Sequence, residues 1–258
     1  MKTIAVITGA SSGMGRRFAE TVNEFGPVDE IWAVARRAER LEELKKTTPF
    51  PVRAVPMDLT DPASYDRYAA MLREEDGVRV GLLVNAGGFG KFNAVMESPL
   101  ETNLNMLDLN CRAVMALSQL TVPYMPEGGR IINIASVAAY QPIPYINVYA
   151  ATKAFVLYYS RALDRELRSR GIRVTAVCPF WTKTEFFDRA VNAEKPPVVK
   201  KYIAMYDPDD IVARAWRDVK KGKDVSRYGF IARGQGALVK LLPHKMVMDA
   251  WQRQQELP

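Results

Sequence analysis

Two residues that could move a proton lie one helical turn apart near the middle of the chain. Tyr149 and Lys153 are four positions apart in a segment with helical periodicity, and Ser136 lies thirteen residues before the tyrosine. Positions i and i+4 share one face of a helix, so the Lys153 ammonium can lie near the Tyr149 phenol. A nearby cation favours the phenolate and should lower the pKa of Tyr149 from about 10 towards neutrality. Such a tyrosine suits general acid/base chemistry on a carbonyl/alcohol pair.

A glycine-rich loop near the N-terminus could hold the hydride carrier that this chemistry requires. Between a strand-like run and a helix-like run stands TGASSGMG, residues 8–15. Gly9 permits a tight turn, Gly13 lets the backbone approach a pyrophosphate, and Gly15 allows close packing of helix on strand. The N-terminus of the following helix attracts phosphate groups. The alternative interpretation is a simple turn between a strand and a helix.

The order and spacing of these motifs resemble those of the short-chain dehydrogenase/reductase family. The resemblance extends from about residue 3 to about residue 185, and the C-terminal quarter carries no comparable signal. It rests on TGASSGMG (8–15), Asp58-Leu59, Asn85-Ala86-Gly87, Asn110, Ser136, the Tyr149/Lys153 pair, and Pro179 followed by Thr182 and Thr184. It implies an NAD(P)-dependent oxidoreductase and a cofactor loop that includes Ser11, Ser12 and Met14.

The end of the second predicted strand distinguishes the two nicotinamide cofactors. An NAD enzyme should carry an acid there, about 20 residues beyond the glycine loop, to bind the ribose hydroxyl. This chain has Ala35 followed by Arg36 and Arg37. A carboxylate would repel a 2′-phosphate whereas a guanidinium can bind one bidentately, so NADP(H) is favoured over NAD(H), with Arg36 as the main contact. Alternatively, the arginines only begin a charged helix. Further helpers could be Ser11, Ser12 and Arg16.

The resemblance also assigns contacts on both sides of the cofactor. Asp58 and Leu59 are expected to flank the adenine, and Asn85-Ala86-Gly87 to lie along the adenosine side of the cleft. Asn85 could instead tie two strands together, and the two roles are compatible. After the sixth strand, the family positions that hold the nicotinamide carboxamide correspond to Thr182 and Thr184, and Pro179 before them is also expected to belong to the cofactor site. Phe180 replaces the family's glycine, which alters the local backbone path and narrows the pocket.

By the same resemblance, four residues carry the chemistry. Tyr149 would give a proton to the carbonyl oxygen during reduction and take it from the alcohol during oxidation. Lys153 would hold the nicotinamide ribose, and Ser136 would donate a hydrogen bond to the substrate oxygen where charge develops. Asn110 would support a water-linked proton path to Lys153; alternatively, it is an ordinary helix asparagine.

Aromatic residues cluster at the positions expected to surround the substrate. They are Phe89, Phe92, Tyr140, Tyr145, Phe180, Trp181, Phe186 and Phe187. Such a lining suits a lipophilic ketone or alcohol. Some members should instead belong to the core, which is the usual place of an isolated phenylalanine.

Composition excludes several other classes of protein. The chain has 258 residues, 48% of them hydrophobic, which is enough for one large core in a single domain, 1–258. It has no apolar run of about 18 residues, and its first residues enter a strand directly, so we expect neither a spanning helix nor a signal peptide. Cys111 and Cys178 are interpreted as reduced core residues of a cytoplasmic protein. His244 is the only histidine, so no metal site is expected.

The net charge of +7 is concentrated in the last quarter of the chain. From Lys195 onward there are 13 Lys and Arg against 7 Asp and Glu, without blocks of like charge, so a nucleic-acid surface is not expected. The tail, 236–258, is apolar with scattered cations and is predicted to contact another subunit or cover the pocket. Contact with a membrane surface is the less favoured alternative. The family resemblance suggests a homodimer or homotetramer.

Apolar runs alternate with helical segments, which is typical of a doubly wound, Rossmann-type parallel sheet of about seven strands with helices on both faces. Strands are predicted at 3–7, 30–34, 52–57, 80–84, 130–135, 172–177 and near 227–232. Helices are predicted near 14–25, 37–46, 62–75, 102–122, 147–170 and 209–221. Residues 180–206 interrupt the alternation and are predicted to form a substrate loop.

These features predict an NADP(H)-dependent reductase or dehydrogenase that interconverts a lipophilic ketone and its alcohol. Three alternatives remain open at this point. The chain could be an NAD-dependent member of the same family, a catalytically idle NADP-binding sensor or scaffold, or a peripheral membrane protein whose basic tail is the functional surface. The presence of both Tyr149 and Lys153 favours the enzyme.

Overall fold

The apolar runs of the sequence form one parallel sheet in the computed structural model, which describes residues 1–191, 197–239 and 241–258. The strands are β1 (Lys2–Thr8), β2 (Glu30–Ala35), β3 (Val52–Pro56), β4 (Val78–Asn85), β5 (Arg130–Ile134), β6 (Arg173–Val177) and β7 (Val225–Ser226). Their order is β3-β2-β1-β4-β5-β6-β7, and the paired strands are parallel. This order confirms the predicted doubly wound, seven-stranded sheet.

Helices cover both faces of the sheet. They are α1 (Gly13–Glu20), α2 (Ala38–Glu43), α3 (Ala63–Glu74), α4 (Leu100–Leu107), α5 (Ala113–Thr121), α6 (Asn147–Leu167), α7 (Phe186–Ala190), α8 (Pro208–Lys220), α9 (Phe230–Leu238) and α10 (His244–Gln255). Successive side chains of β1 point to opposite faces, so Ile7 packs in one core with Phe18 of α1 and Val6 in the other with Tyr68 of α3. Within the described ranges, no helix is long and apolar enough to cross a membrane.

The last strand differs from its prediction. A strand was expected near 227–232, but pairing with β6 is confined to Val225–Ser226, and Phe230–Leu238 is helical. Gly229 lies between them with φ of 86°, a conformation that turns the chain out of the extended path. A short apolar run does not by itself distinguish a strand from a buried helical turn, which is why the pattern misled.

The carboxyl ends of β1 and β4 create the position where a site can form. The chain order of the sheet reverses between these neighbours, and ligands of doubly wound folds bind at such a switch point. Thr8 ends β1, and its Oγ1 accepts hydrogen bonds from Ala86 N and Gly87 N, both at 3.1 Å. The loop after β1 and the loop after β4 are therefore fixed against each other.

The C-terminal helix α10 packs against its own chain beside α6. Gln255 is fully buried; its Oε1 accepts from Lys200 N (2.8 Å) and Lys201 N (2.9 Å), and its Nε2 donates to Lys201 O (3.0 Å). Trp251 Nε1 donates to Pro144 O at 3.1 Å. The tail thus covers the loop that precedes the helix of Tyr149. Of the two predicted segments, 180–206 and 236–258, residues 192–196 and Lys240 lie outside the described residues.

Candidate active site

The glycine loop after β1 packs too tightly for side chains. Gly9 has φ of 64°, and a Cβ on it would lie 2.7 Å from Gly87 N. A Cβ on Gly15 would lie 2.3 Å from the Gly9 carbonyl oxygen, and one on Gly13 would lie 3.3 Å from Thr184 Cγ2. The backbone at the N-terminus of α1 is therefore left bare towards the cleft. This cradle fits the pyrophosphate of a dinucleotide.

A cleft of about 930 Å³ opens along this edge of the sheet, within the size range of small-molecule sites. The predicted cofactor residues that line it are Gly9, Ser11, Ser12, Gly13, Met14, Gly15, Arg36, Arg37, Asp58, Leu59, Ala86, Gly87 and Thr184. Lys91, Glu185 and Asp188 also line it and were not predicted. Of these three residues, only Glu185 could have been found from the sequence, because it directly follows the predicted contact Thr184. Nowhere in the described part of the chain do three or more His, Cys, Asp or Glu residues gather into a possible metal site.

The two arginines after β2 differ in their contacts. Arg36 Nη1 lies 3.9 Å from Asp58 Oδ2, and the Arg36 side chain is largely exposed. Arg37 Nη2 donates to Ser11 Oγ at 3.2 Å and to Ser12 Oγ at 3.0 Å. Arg37 immediately precedes α2, as the helix-start interpretation held, but its guanidinium also contacts the glycine loop. Both cations lie where the adenosine end of a dinucleotide would reach.

The serine, tyrosine and lysine come together between the cleft and the sheet. Lys153 Nζ donates to Ile134 O at 2.7 Å and lies 5.7 Å from the centre of the Tyr149 ring. Ser136 follows β5, and its Oγ accepts from Ala138 N at 3.1 Å. Ser136 also lies close enough to the Tyr149 phenol to lower its pKa. Strand β5 and helix α6 thus bring the three groups together, with Ser136 and Lys153 buried and Tyr149 half-buried.

Burial dominates the protonation of this cluster. It raises the pKa of Tyr149 to about 12, although the hydrogen bond with Ser136 lowers it. Burial also lowers the pKa of Lys153 to about 8. The prediction that Lys153 lowers the pKa of Tyr149 towards neutrality is therefore wrong in this structure, because desolvation penalises the charged form of both groups. At neutral pH Tyr149 is a protonated phenol and Lys153 is mostly charged.

Asn110 lies in a π-helical turn, Asp108–Arg112, which interrupts the long helix predicted at this position. Such turns often occur at functional sites. The buried amide of Asn110 accepts from Phe89 N at 3.1 Å and donates to Phe89 O (2.9 Å) and Thr152 Oγ1 (3.0 Å). These bonds attach the loop after β4 to α6, one residue from Lys153. The water-linked path from Asn110 to Lys153 stays a prediction.

Asn85 ties strands together rather than lining the cleft. Its buried Nδ2 donates to Asn133 Oδ1 of β5 at 2.8 Å and to Ser118 Oγ at 3.3 Å. Ala86 and Gly87, the next two residues, do line the cleft. The structure therefore places the Asn85 side chain in the second of its two predicted roles.

The segment after β6 contributes one of its three predicted cofactor-site residues to the cleft. Thr184 lines the cleft against Gly13. Pro179 O accepts from Val137 N at 3.0 Å, and the buried Thr182 donates through its Oγ1 to Phe180 O at 2.8 Å. Pro179 and Thr182 thus shape the backbone around Phe180, and neither lines the cleft in this structure.

An aromatic wall adjoins the face of Tyr149. It consists of Phe92, Trp181, Phe186, Phe187 and Tyr202. The ring centre of Tyr149 lies 5.4 Å from that of Phe186 and 6.3 Å from that of Phe92. These separations are typical of packed aromatic pairs. The wall gives the phenol an apolar neighbourhood opposite Lys153.

The other predicted pocket residues are dispersed. Phe89 lines the cofactor cleft, and Phe180 packs between Trp181 and Tyr206. Tyr140, in a short 3₁₀ turn, does not join the aromatic wall but packs against the core around Cys178, whose Sγ lies 3.7 Å from its hydroxyl. Tyr145 has φ of 65°, and its hydroxyl donates to Pro258 O at 3.5 Å, at the junction with the tail.

A family model described as short chain dehydrogenase matches residues 3–195. The chain belongs to the short-chain dehydrogenases. Serine 3-dehydrogenase from Rhizobium radiobacter is 35% identical over 192 residues, which cover 72% of this chain and 74% of that protein. Human very-long-chain 3-oxoacyl-CoA reductase is 30% identical over 260 residues, covering 95% and 78%. A solved short-chain dehydrogenase from Sphingobium yanoikuyae in complex with NADPH has a TM-score of 0.77 at 30% identity, covering 96% of both chains.

Proposed function

We propose that this short-chain dehydrogenase interconverts a lipophilic ketone and its secondary alcohol with NADP(H). The observation that carries the proposal is the meeting of the buried Ser136 and Lys153 with the half-buried Tyr149 where the glycine-loop cleft borders the aromatic wall. A phenol held protonated between a dinucleotide cleft and an apolar chamber can donate to a carbonyl oxygen. The family membership supports oxidoreductase chemistry on a CH–OH/C=O pair.

The choice of NADP(H) rests on the residues after β2. Ala35 stands where an acid would bind a ribose hydroxyl, and Arg36 and Arg37 follow it at the rim of the cleft. Guanidiniums bind phosphate bidentately, so both are suited to a 2′-phosphate. NADPH bound to the Sphingobium yanoikuyae relative supports the same choice. When bound, the cofactor supplies or accepts the hydride.

The buried groups have complementary tasks in reduction. Tyr149, with its pKa raised to about 12, keeps its proton at neutral pH and donates it to the carbonyl oxygen. Ser136 hydrogen-bonds to the same oxygen and stabilises the negative charge that develops there. Lys153, whose pKa is about 8, is mostly charged at neutral pH and stabilises the phenolate that remains. Asn110 holds the surrounding loop and α6 in place.

The aromatic wall is the basis for a lipophilic substrate. The wall consists of aromatic side chains, and two of them, Phe92 and Phe186, contact the Tyr149 ring. Apolar walls with a few convergent polar groups are typical of sites for apolar small molecules. The names of the relatives range from a serine dehydrogenase to a very-long-chain 3-oxoacyl-CoA reductase, so family membership leaves the substrate open. The wall itself therefore carries this part of the proposal.

Replacement of Tyr149 by phenylalanine tests the chemistry. Tyr149→Phe should lower turnover by about 10²–10⁴-fold, because only the proton donor is lost, with NADPH affinity unchanged. Tyr158→Phe is the matched control, since Tyr158 is an exposed tyrosine on the same helix. NADPH consumption is measured with a panel of steroid, bile-acid-like, acyl and aryl ketones. Near-full activity of Tyr149→Phe would contradict the assignment. A wild type that binds NADPH and reduces no carbonyl would favour the sensor alternative.

Replacement of Arg36 tests the cofactor. Arg36→Ala should weaken NADPH binding by about 1.5–3 kcal/mol, the scale of a hydrogen bond to a charged group. NADH binding should barely change, because NADH has no 2′-phosphate. Equal losses for both cofactors would assign Arg36 to the helix start alone. A wild type that prefers NADH would contradict the NADP(H) proposal.

Self-association is proposed through a face formed by α4 and α6. The tail packs on its own chain. Helices α4 and α6 lie side by side. Together they expose the apolar side chains of Leu100, Leu104, Phe155 and Tyr158. Apolar residues exposed together on a surface mark interaction sites. We infer a homodimer or homotetramer that buries this face. The two cysteines are free thiols, which supports a reducing, cytoplasmic location.

A further inference from the structure

One carboxylate at the rim of the cofactor cleft holds two guanidiniums. Glu185 Oε2 accepts from Arg37 Nη1 at 3.1 Å, and Glu185 Oε1 pairs with Arg40 Nη1. Arg37 and Arg40 lie at the start of α2, whereas Glu185 precedes α7. These three residues, named here the Glu185 latch, join two segments that are distant in sequence.

The Glu185 latch also reaches the glycine loop. Arg37 uses Nη1 for Glu185 and Nη2 for the hydroxyls of Ser11 and Ser12. One guanidinium therefore holds the glycine loop, the start of α2 and the segment 184–190 around the mouth of the cleft. Both Arg37 and Glu185 line that cleft, so a bound molecule meets the latch directly.

We propose that a cofactor with a 2′-phosphate displaces Glu185 from Arg37, so that NADP(H), but not NAD(H), opens the Glu185 latch. The inference rests on the proposed function, which places the 2′-phosphate beside Arg36 and Arg37. Phosphate and carboxylate oxygens compete for the same N–H groups of a guanidinium. The two anions also repel each other when both lie against one cation.

The latch is held weakly enough to be exchanged. The side chains of Arg37, Arg40 and Glu185 are 39%, 36% and 46% exposed. Ion pairs at this exposure contribute little to stability, so a doubly charged phosphate can replace the carboxylate. The hydrogen bond from Arg40 lowers the pKa of Glu185 below its usual value, which keeps the carboxylate ionised at neutral pH.

Opening of the Glu185 latch would change the packing of the aromatic wall. Phe186, the next residue after Glu185, packs against Tyr149 with ring centres 5.4 Å apart. Phe187 packs against Trp181 at 5.8 Å. The chain that carries the latch carboxylate thus also carries part of the aromatic wall. Release of Glu185 loosens that wall, which couples the 2′-phosphate to the fit of the substrate around the phenol.

Binding of adenosine 2′,5′-bisphosphate and of 5′-AMP, measured by calorimetry, tests the exchange. Glu185→Gln keeps the side-chain shape and removes the charge, so it should bind the bisphosphate about three- to tenfold more tightly than wild type, with 5′-AMP unchanged. Glu39→Gln is the matched control, because Glu39 is an exposed carboxylate beside Arg40 on α2 and is not among the residues that line the cleft. It should change both affinities by less than about twofold. Unchanged or weaker bisphosphate binding by Glu185→Gln, or an equal gain in the control, overturns the proposal.

Hydrogen exchange of the amides in 184–191 tests the movement. In the wild type these amides should exchange faster with bisphosphate bound than with 5′-AMP bound, and in Glu185→Gln they should exchange fast with either. Equal protection of the wild-type segment by the two nucleotides would refute the opening. A wild type that binds the two nucleotides equally well would instead refute the NADP(H) proposal. A wild type that prefers the bisphosphate and gains nothing from Glu185→Gln refutes the latch alone.

Discussion

Gly15→Ala and Gly234→Ala both replace a helical glycine, but the free energies of unfolding of the two variants should differ. Gly15 lies in the first turn of α1 and Gly234 in the middle of α9, and neither has a positive φ. Alanine stabilises a helix over glycine by about 0.5–1 kcal/mol. Propensity alone therefore predicts that both Gly15→Ala and Gly234→Ala raise the free energy of unfolding.

Packing separates the two positions. A Cβ on Gly15 would lie 2.3 Å from Gly9 O and 2.6 Å from Gly9 C, and these backbone atoms cannot retreat without opening the turn. No atom lies within 4 Å of a Cβ built on Gly234. Overpacking typically costs about 1–3 kcal/mol. Because the propensity gain cancels in the comparison, Gly234→Ala should exceed Gly15→Ala in unfolding free energy by about that amount.

Urea denaturation of both variants and the wild type measures the difference. In thermal melts it should appear as a gap of about 2–4 °C per kcal/mol for a domain of this size. Gly15→Ala should also weaken NADPH binding, since an opened turn displaces the backbone at the start of α1. If Gly15→Ala is as stable as Gly234→Ala and binds NADPH like the wild type, the tight cradle around the pyrophosphate is refuted.

Three further perturbations follow from buried or exposed groups. Burial lowers the pKa of Lys153 from 10.5 to about 8, so its charged form reduces stability below pH 8 and this cost disappears as the pH approaches about 10.5. Any stability advantage of Lys153→Met over wild type should therefore fall by up to about 3 kcal/mol between pH 7 and pH 10.5, and a constant difference in denaturation would contradict this. Gln255→Ala should lower the free energy of unfolding by about 1–3 kcal/mol because it removes three hydrogen bonds between the buried Gln255 amide and the backbone of Lys200 and Lys201, whereas Gln254→Ala should stay within about 0.5 kcal/mol in the same melts. Leu104→Lys should give a smaller species in light scattering, and an unchanged mass would exclude the face of α4 as the contact.

The parts of the site that the sequence predicted are those built from neighbouring residues. The glycine loop needs its spacing because Gly9 and Gly15 meet within one strand–turn–helix unit. Tyr149 and Lys153 share a face because the helical period places them together. The parallel sheet follows from apolar runs with alternating helices, and only β7, two residues long, was misplaced.

The parts that the sequence did not predict depend on distant contacts. The partners of Glu185 lie about 150 residues earlier in the chain, and Gln255 bonds to backbone more than 50 residues away. Tyr140 packs against the core around Cys178, a contact between positions 38 residues apart, rather than joining the aromatic wall. The pKa of Tyr149 was misjudged because the sequence shows the nearby cation and not the desolvation of both groups.

Three consecutive residues connect the part of the cleft that is proposed to bind the cofactor with the aromatic wall that is proposed to surround the substrate. Thr184 contacts the glycine loop, Glu185 holds the guanidiniums at the adenosine end, and Phe186 packs against the phenol of Tyr149. A displacement of Glu185 is passed in part to its neighbours, because each peptide bond is planar and only two soft dihedrals separate adjacent residues. On the proposed function, selection of a cofactor by its 2′-phosphate and packing of the aromatic wall around the substrate would therefore involve the same short segment. A substitution in this segment that changes cofactor selection should also change substrate fit, even though Arg37 contacts the glycine loop and Tyr149 packs beside the aromatic wall.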